Sequence, residues 1–217
     1  MATRAERASD RAYATLLDDI QHGRLAPGTV VAEVEQAARL GVSRTPLREA
    51  VGRLTAAGLL VQQSPRVTVV AGADRDDVRA LFELRRGLEE TAARLAAERG
   101  DPAAFRELAA AFAASESGVA DAPDDYYALI ARFDASVDTA ADNEYLRAAL
   151  RPVRDHLVRV RRMARDNPLR LSRSVREHEL IASAIAARDG DLAAHATHVH
   201  LHNALTAILD SLPEDPA

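Results

Sequence analysis

The 217-residue chain contains no cysteine, no tryptophan and no lysine. Without cysteine it has neither a disulfide framework nor thiolate chemistry. Aromatic residues make up only 4% of the chain against 47% apolar residues, and much of the apolar share is alanine. That mixture suits closely packed helices and suits a β-sandwich poorly. The opening segment MATRAERASDRAYATLLDDI holds no apolar signal-peptide core, and no apolar run approaches the roughly 20 residues that span a bilayer. The expected setting is the cytoplasm, with no membrane partner.

With lysine absent, the strong bases are all arginine, a habit first attributable to genome composition. Their distribution carries more information. The formal net charge is -5, yet residues 1–71 hold 9 arginines against 7 acids, for a net of +2, and the remainder carries -7. A mildly basic small domain ahead of an acidic larger one is compatible with nucleic-acid binding by the first alone.

Apolar periodicity predicts a helix over 5–22, with Tyr13, Leu16, Leu17 and Ile20 on one face. Ala26-Pro27-Gly28 is a turn. A second helix runs from about Val31 to Leu40 and stops at Gly41. Ser43 is a natural N-cap for a third, in which Leu47, Val51 and Leu54 form the buried stripe. Gly58 ends that helix, and Leu59–Val61 and Val67–Val70 read as strands around Gln63-Ser64-Pro65-Arg66. Helix, helix, tight turn, helix and hairpin make a helix-turn-helix with a wing. Arg44, Arg48 and Arg53 lie off the buried stripe. A solvated arginine face is the plain alternative, but the complete segment order favours a helix that enters a DNA major groove. The DNA-facing candidates are Ser43, Arg44, Thr45, Arg48 and Arg53, with Arg66 at the wing tip.

From Asp74 onward only helical periods appear, in six segments: one long helix after Gly72-Ala73-Asp74, then about 102–116, 124–141, 144 to before Pro168, 172–188, and a last helix ending before Pro213. Pro152 predicts a kink or break in the fourth. The expected fold is mainly α, with a winged helix-turn-helix over 1–71 and an all-α bundle of about six helices over 72–217.

The segments Leu16-Leu17-Asp18-Asp19-Ile20, GRLAPGTVV and RLGVSRTPLREAVGRLTAAGLL resemble the winged-helix domain of GntR-family transcription regulators over roughly residues 10–71. Gln36 departs from the leucine usual there, and Ser64-Pro65-Arg66 departs from the common glycine at the wing tip. ELRRGLEETAARLAAER, FDASVDTAADNEYL and REHELIASAIAARDGDLAAHATHVHL resemble the FCD-type ligand-binding domain of the FadR-like subgroup. The resemblance implies a homodimer that binds a short palindromic operator in double-stranded DNA under the control of a small effector, such as a carboxylic acid.

The same resemblance implies a divalent metal, Zn²⁺, Ni²⁺ or Mn²⁺, held by Asp134, His178 and His200. Asp134 stands where the family has a histidine, and Ile130 where it has an aspartate. On a helical wheel His178 and Asp134 both face apolar neighbours, which suits a metal or a hydrogen-bonded polar core. His200 falls at the edge of the Leu201-Leu205-Ile208 stripe, with His198 nearer its centre. His195, His198 and His202 share a face that reads as solvated or as an interface. Arg85 matches a position that is arginine in many relatives and is a candidate to meet an effector carboxylate; it also stands four residues before Glu89, the spacing of a helix salt bridge. Two other functions fit the pattern less well. One is a metal-dependent hydrolase on Asp134, His178 and His200, and the other is a regulator whose helical domain only dimerises.

Overall fold

The computed structural model describes residues 4–119, 122–161 and 168–212. The chain divides into two compact units, residues 1–73 with 154–159, and residues 74–153 with 160–217.

The first unit contains α1 (Arg4–Gln21), α2 (Glu33–Leu40), α3 (Arg44–Ala56), β1 (Leu60–Ser64) and β2 (Val67–Val70). Leu16 and Ile20 of α1 pack against Leu47, Ala50, Val51 and Leu54 of α3, with Leu59, Leu60 and Val70 closing the core from the hairpin. The buried positions of α3 include the Leu47–Val51–Leu54 stripe. Gly41 ends α2 with a left-handed φ of 63°. A side chain there would strain the backbone, so glycine is what lets α2 turn into α3 within three residues.

β1 and β2 pair antiparallel with Leu60 opposite Val70 and Val61 opposite Val69, and the register shifts between Gln62 and Ser64. One feature differs from the expectation. Helix α2 begins at Glu33, not Val31, because Val30 and Val31 are taken up by β2. Val30 bridges Val69, Val31 N–H donates to Thr68 O at 2.8 Å, and Val70 N–H donates to Thr29 O at 2.9 Å. Two adjacent β-branched residues fit a pleated surface better than a first helical turn.

Gln36 is 5% exposed. Its amide oxygen accepts from Arg39 Nε at 2.8 Å, and Arg39 Nη2 reaches the buried Asp19 at 2.5 Å. Arg24 Nε donates to the other Asp19 oxygen at 2.6 Å. The glutamine therefore belongs to a polar network under α2. Burial pushes the Asp19 carboxyl upward, but the bonds from Arg24 and Arg39 outweigh it and hold the group below its ordinary value.

The second unit contains α4 (Arg75–Arg99), α5 (Pro102–Ser115), α6 (Pro123–Ala141), α7 (Glu144–Arg161) apart from its residues 154–159, α8 (Pro168–Ala186) and α9 (Gly190–Ser211). Asp74 caps α4 in a reciprocal box: Asp77 N–H donates to its carboxylate at 2.8 Å, and Asp74 N–H donates back to Asp77 Oδ2 at 3.3 Å. α4 lies along α9, α5 along α8, and α8 against α9. The core joins alanines of α4 (Ala92, Ala93, Ala96) to Phe105, Phe112, Tyr126, Phe133 and Val175. Alanine lets the helix axes approach, and the few aromatics fill what remains. Pro152 sits inside α7, which continues past it to Arg161. α8 begins at Pro168, four residues before the expected Ser172, since proline is readily accommodated in a first turn.

Candidate nucleic-acid interface and buried cavity

In the first unit, Ser43 takes the N-cap position of α3 in extended conformation (φ -74°, ψ 167°), but its side chain makes no cap bond. Arg44 and Thr45 follow in the first turn, both exposed. Arg48, one turn on from Arg44, is exposed and pairs through Nε with Glu33 of α2 at 2.7 Å. Arg53 is placed differently. Its Nη1 meets Asp10 of α1 at 2.7 Å and its guanidinium lies 4.1 Å from the Tyr13 ring centre. Arg53 ties α3 back to α1. Arg66 is exposed in the turn between β1 and β2.

In the second unit, a small cavity of about 50 Å³, partly open to solvent, is lined by residues of α4, α6, α8 and α9. Arg85 lines it at 1% exposure. Its Nε and Nη2 donate to the two Glu89 oxygens at 2.8 and 3.2 Å, and its guanidinium lies 4.4 Å from the Phe82 ring centre. The same-helix salt bridge forms, and Arg85 also faces the cavity.

His178 and His200 meet here, with ring centroids 4.4 Å apart. Nδ1–H of His178 donates to Ser174 O at 2.8 Å, with Tyr126 Oη 2.9 Å away. Phe112 stacks on the His178 ring at 5.1 Å. His200 Nδ1–H donates to Glu177 Oε2 at 2.7 Å, and Glu177 also accepts from Arg170 Nη2 and Asn203 Nδ2, each at 2.8 Å. The inward position of His200, 6% exposed, corrects the wheel that set His198 nearer the centre. The buried side of α9 includes Ala193, Ala194, Ala196, Thr197 and His200 beside Leu201. Those alanines add little to an apolar stripe read from sequence. His198 instead meets Glu90 at 2.8 Å on an exposed face, and His195 and His202 are exposed as well.

The proposed metal ligands are therefore brought together only in part. Asp134 is half-buried one turn beyond Ile130, and of the two only Ile130 lines the cavity. Ile130 contributes a hydrocarbon where a carboxylate was wanted. Among the described residues, no group of three or more His, Cys, Asp or Glu is arranged to hold a metal ion. Two guanidiniums, Arg85 and Arg170, share the lining, each paired with a carboxylate, Glu89 and Glu177. The donor set does not complete a metal shell. Arg170 escaped sequence reading because α8 starts earlier than the expected Ser172, which left it ahead of the expected helix.

A winged helix-turn-helix followed by an all-helical unit is the architecture of a transcription regulator. The chain belongs to the GntR family. The model for bacterial regulatory proteins of the gntR family matches residues 8–70, and the FCD domain model matches residues 80–203. The chain is 34% identical over 195 residues to a probable D-xylose utilization operon transcriptional repressor of Paenarthrobacter nicotinovorans, covering 89% of this chain and 85% of that protein. It is 30% identical over 190 residues to the HTH-type transcriptional repressor RspR of Escherichia coli (strain K12), covering 87% and 83%. The solved structure of a putative GntR regulator from Rhodococcus sp. RHA1 has the same fold, with a TM-score of 0.77 at 21% identity, covering 94% of this chain and 99% of that one. These relatives are regulators, not enzymes, and nothing in the cavity supports the hydrolase reading. No helix among the described residues is long and apolar enough to cross a membrane.

Proposed function

We propose that this regulator reads a short palindromic operator as a cytoplasmic homodimer and that a small carboxylate in the helical cavity controls its grip on DNA. The observation that carries the reading is the buried Arg85, aimed at a cavity that also holds Arg170, His178 and His200. A guanidinium fork matches a carboxylate in two parallel bonds. Glu89 already neutralises Arg85, so an incoming acid competes with it and changes how α4 is held along its length. Such a ligand shifts the equilibrium between two arrangements of the protein only by its difference in affinity for them. At the other unit, Ser43, Arg44 and Thr45 lead into the major groove, Arg48 follows after releasing Glu33, and Arg66 reaches the flanking backbone from the wing. One helix-turn-helix reads only a few base pairs, which is why a dimer on two half-sites is proposed. Thermal-shift screening with hydroxy, keto and aromatic carboxylates tests the sensor. The expected result is stabilisation by one class that is lost in Arg85→Ala; no response to any carboxylate would sink it.

One observation favours a second reading. Nδ1 of both His178 and His200 is committed to an oxygen. The lone pair of each neutral ring is then on Nε2, the form in which imidazole binds Zn²⁺, Ni²⁺ or Mn²⁺. In that case the effector itself supplies the missing oxygen ligands, with Asp134 as a further candidate. Metal titration with and without the carboxylate decides between the two.

A further inference from the structure

The arginines between residues 7 and 66 fall into two groups. Arg24, Arg39, Arg48 and Arg53 each hold a carboxylate, of Asp18 and Asp19, of Asp19, of Glu33 and of Asp10 respectively. Arg7, Arg11, Arg44 and Arg66 hold none among the described residues. Arg44 and Arg66 lie on the recognition helix and the wing. Arg7 and Arg11 do not. They stand one turn apart on α1, and residues at that spacing share a helix face about 5–6 Å apart.

Both are exposed, and both line a groove whose other walls are Gly41, Val42, Ser43 and Pro46, the turn into α3. The lining carries two guanidiniums and a hydroxyl but no acid. Asp10, the neighbour of Arg11 in sequence, is already taken by Arg53, which itself rests on Tyr13. Arg53 thus acts as an internal counter-ion to Asp10, and among the described residues no carboxylate pairs with Arg7 or Arg11. A pair of unpaired guanidiniums beside the start of a recognition helix suits the phosphate oxygens of a DNA strand, which a planar fork meets in two bonds.

We propose that Arg7 and Arg11 of α1 form a phosphate clamp that grips the DNA backbone flanking the groove entered by α3. The inference rests on the reading of the first unit as the DNA-binding part. It adds a second contact element to that reading. Unlike Arg48, which pairs with Glu33, these two arginines engage DNA without first breaking an ion pair among the described residues. Their contribution is to affinity and register, since phosphate contacts carry no base identity.

The test is fluorescence anisotropy of the full chain on a labelled mixed-sequence duplex about three helical turns long, across a salt series, repeated on a duplex selected by the wild type from a random pool. Binding by the wild type secures the DNA reading on its own. In Arg7→Ala/Arg11→Ala the slope of log K against log salt is expected to become shallower by about 0.9 for each phosphate contact removed. Affinity should fall by the same factor on both duplexes, and the thermal midpoint should not move. Arg7→Lys/Arg11→Lys should retain most of the slope, because lysine also neutralises phosphate. Arg106→Ala, an exposed arginine of α5, serves as the control for general loss of positive charge. An alanine double variant with wild-type slope and affinity overturns the clamp and leaves the DNA reading standing. A loss confined to the selected duplex also overturns it, by assigning these residues to base reading. A wild type that binds neither duplex at low salt removes the DNA reading and the clamp with it.

Discussion

Glu177 of α8 and His200 of α9 are joined at 2.7 Å inside the helical unit, and the same carboxylate also holds Arg170 and Asn203. One acid thus fixes the orientation of an imidazole, a guanidinium and an amide at the cavity wall. Glu177→Ala leaves Arg170 and His200 without their shared acceptor. Removing one partner of a buried pair costs about 3–5 kcal/mol; at 13% side-chain exposure the lower end applies here. Urea unfolding should place the loss near 3 kcal/mol, and a loss within experimental error would remove Glu177 from the cavity's framework.

Asp19 makes the first unit sensitive to acid. Its folded carboxyl is held below its ordinary value by Arg24 and Arg39, against the upward push of burial. A depressed folded value means the stabilisation is fully present above the unfolded value of about 3.9 and is lost as pH falls through the folded value. Wild type should therefore lose stability below about pH 4 more steeply than Asp19→Asn. Parallel acid-unfolding curves for the two would show that the network contributes nothing to pH dependence.

Arg44→Ala and Arg53→Ala should fail in different ways. Loss of a base-reading arginine costs about 1–3 kcal/mol of binding and relaxes specificity at one position, and Arg44, exposed in the first turn of α3, is expected to behave so. Arg53→Ala removes an exposed ion pair and the stacking on Tyr13, together worth about 1 kcal/mol of stability, with a smaller effect on operator binding. A variant pair with the reverse pattern would mean that Arg53 leaves Asp10 to reach DNA.

For the cavity, incubation with Zn²⁺, Ni²⁺ or Mn²⁺ in the absence of an effector should give no stoichiometric binding by elemental analysis. Ile130 supplies no ligand atom, and Glu89 and Glu177 are held by Arg85 and Arg170. One equivalent of metal that disappears in His178→Ala would instead establish the two-imidazole centre.

The elements that could be read from sequence are those specified by local chemistry. Gly41 stops α2, Asp74 caps α4, and Asp101 with Pro102 opens α5; each acts on its own neighbours. The pairing of Val30 with Val69 joins residues far apart in sequence and could not be read from a local period. The inward face of α9 was obscured for another reason: close packing there is achieved with alanine and threonine, which leave almost no amphipathic trace. Arg44 was legible as an outward arginine, whereas the destination of Arg53 depends on Asp10 and Tyr13, which lie on another helix. Arg7 and Arg11 gave no signal because one helix face with two arginines is ordinary, and it acquires meaning only beside the turn that leads to α3.

Because residues 29–31 complete the second side of β2, the wing is not a self-contained cassette. A chimera that exchanges only residues 59–71 with those of a relative would place a foreign strand against a native Thr29-Val30-Val31 edge. Alanine or polar residues in the donor strand would then leave that edge poorly matched. A portable wing includes the stretch before α2, so its specificity can be transplanted between relatives only as two separated pieces of chain moved together.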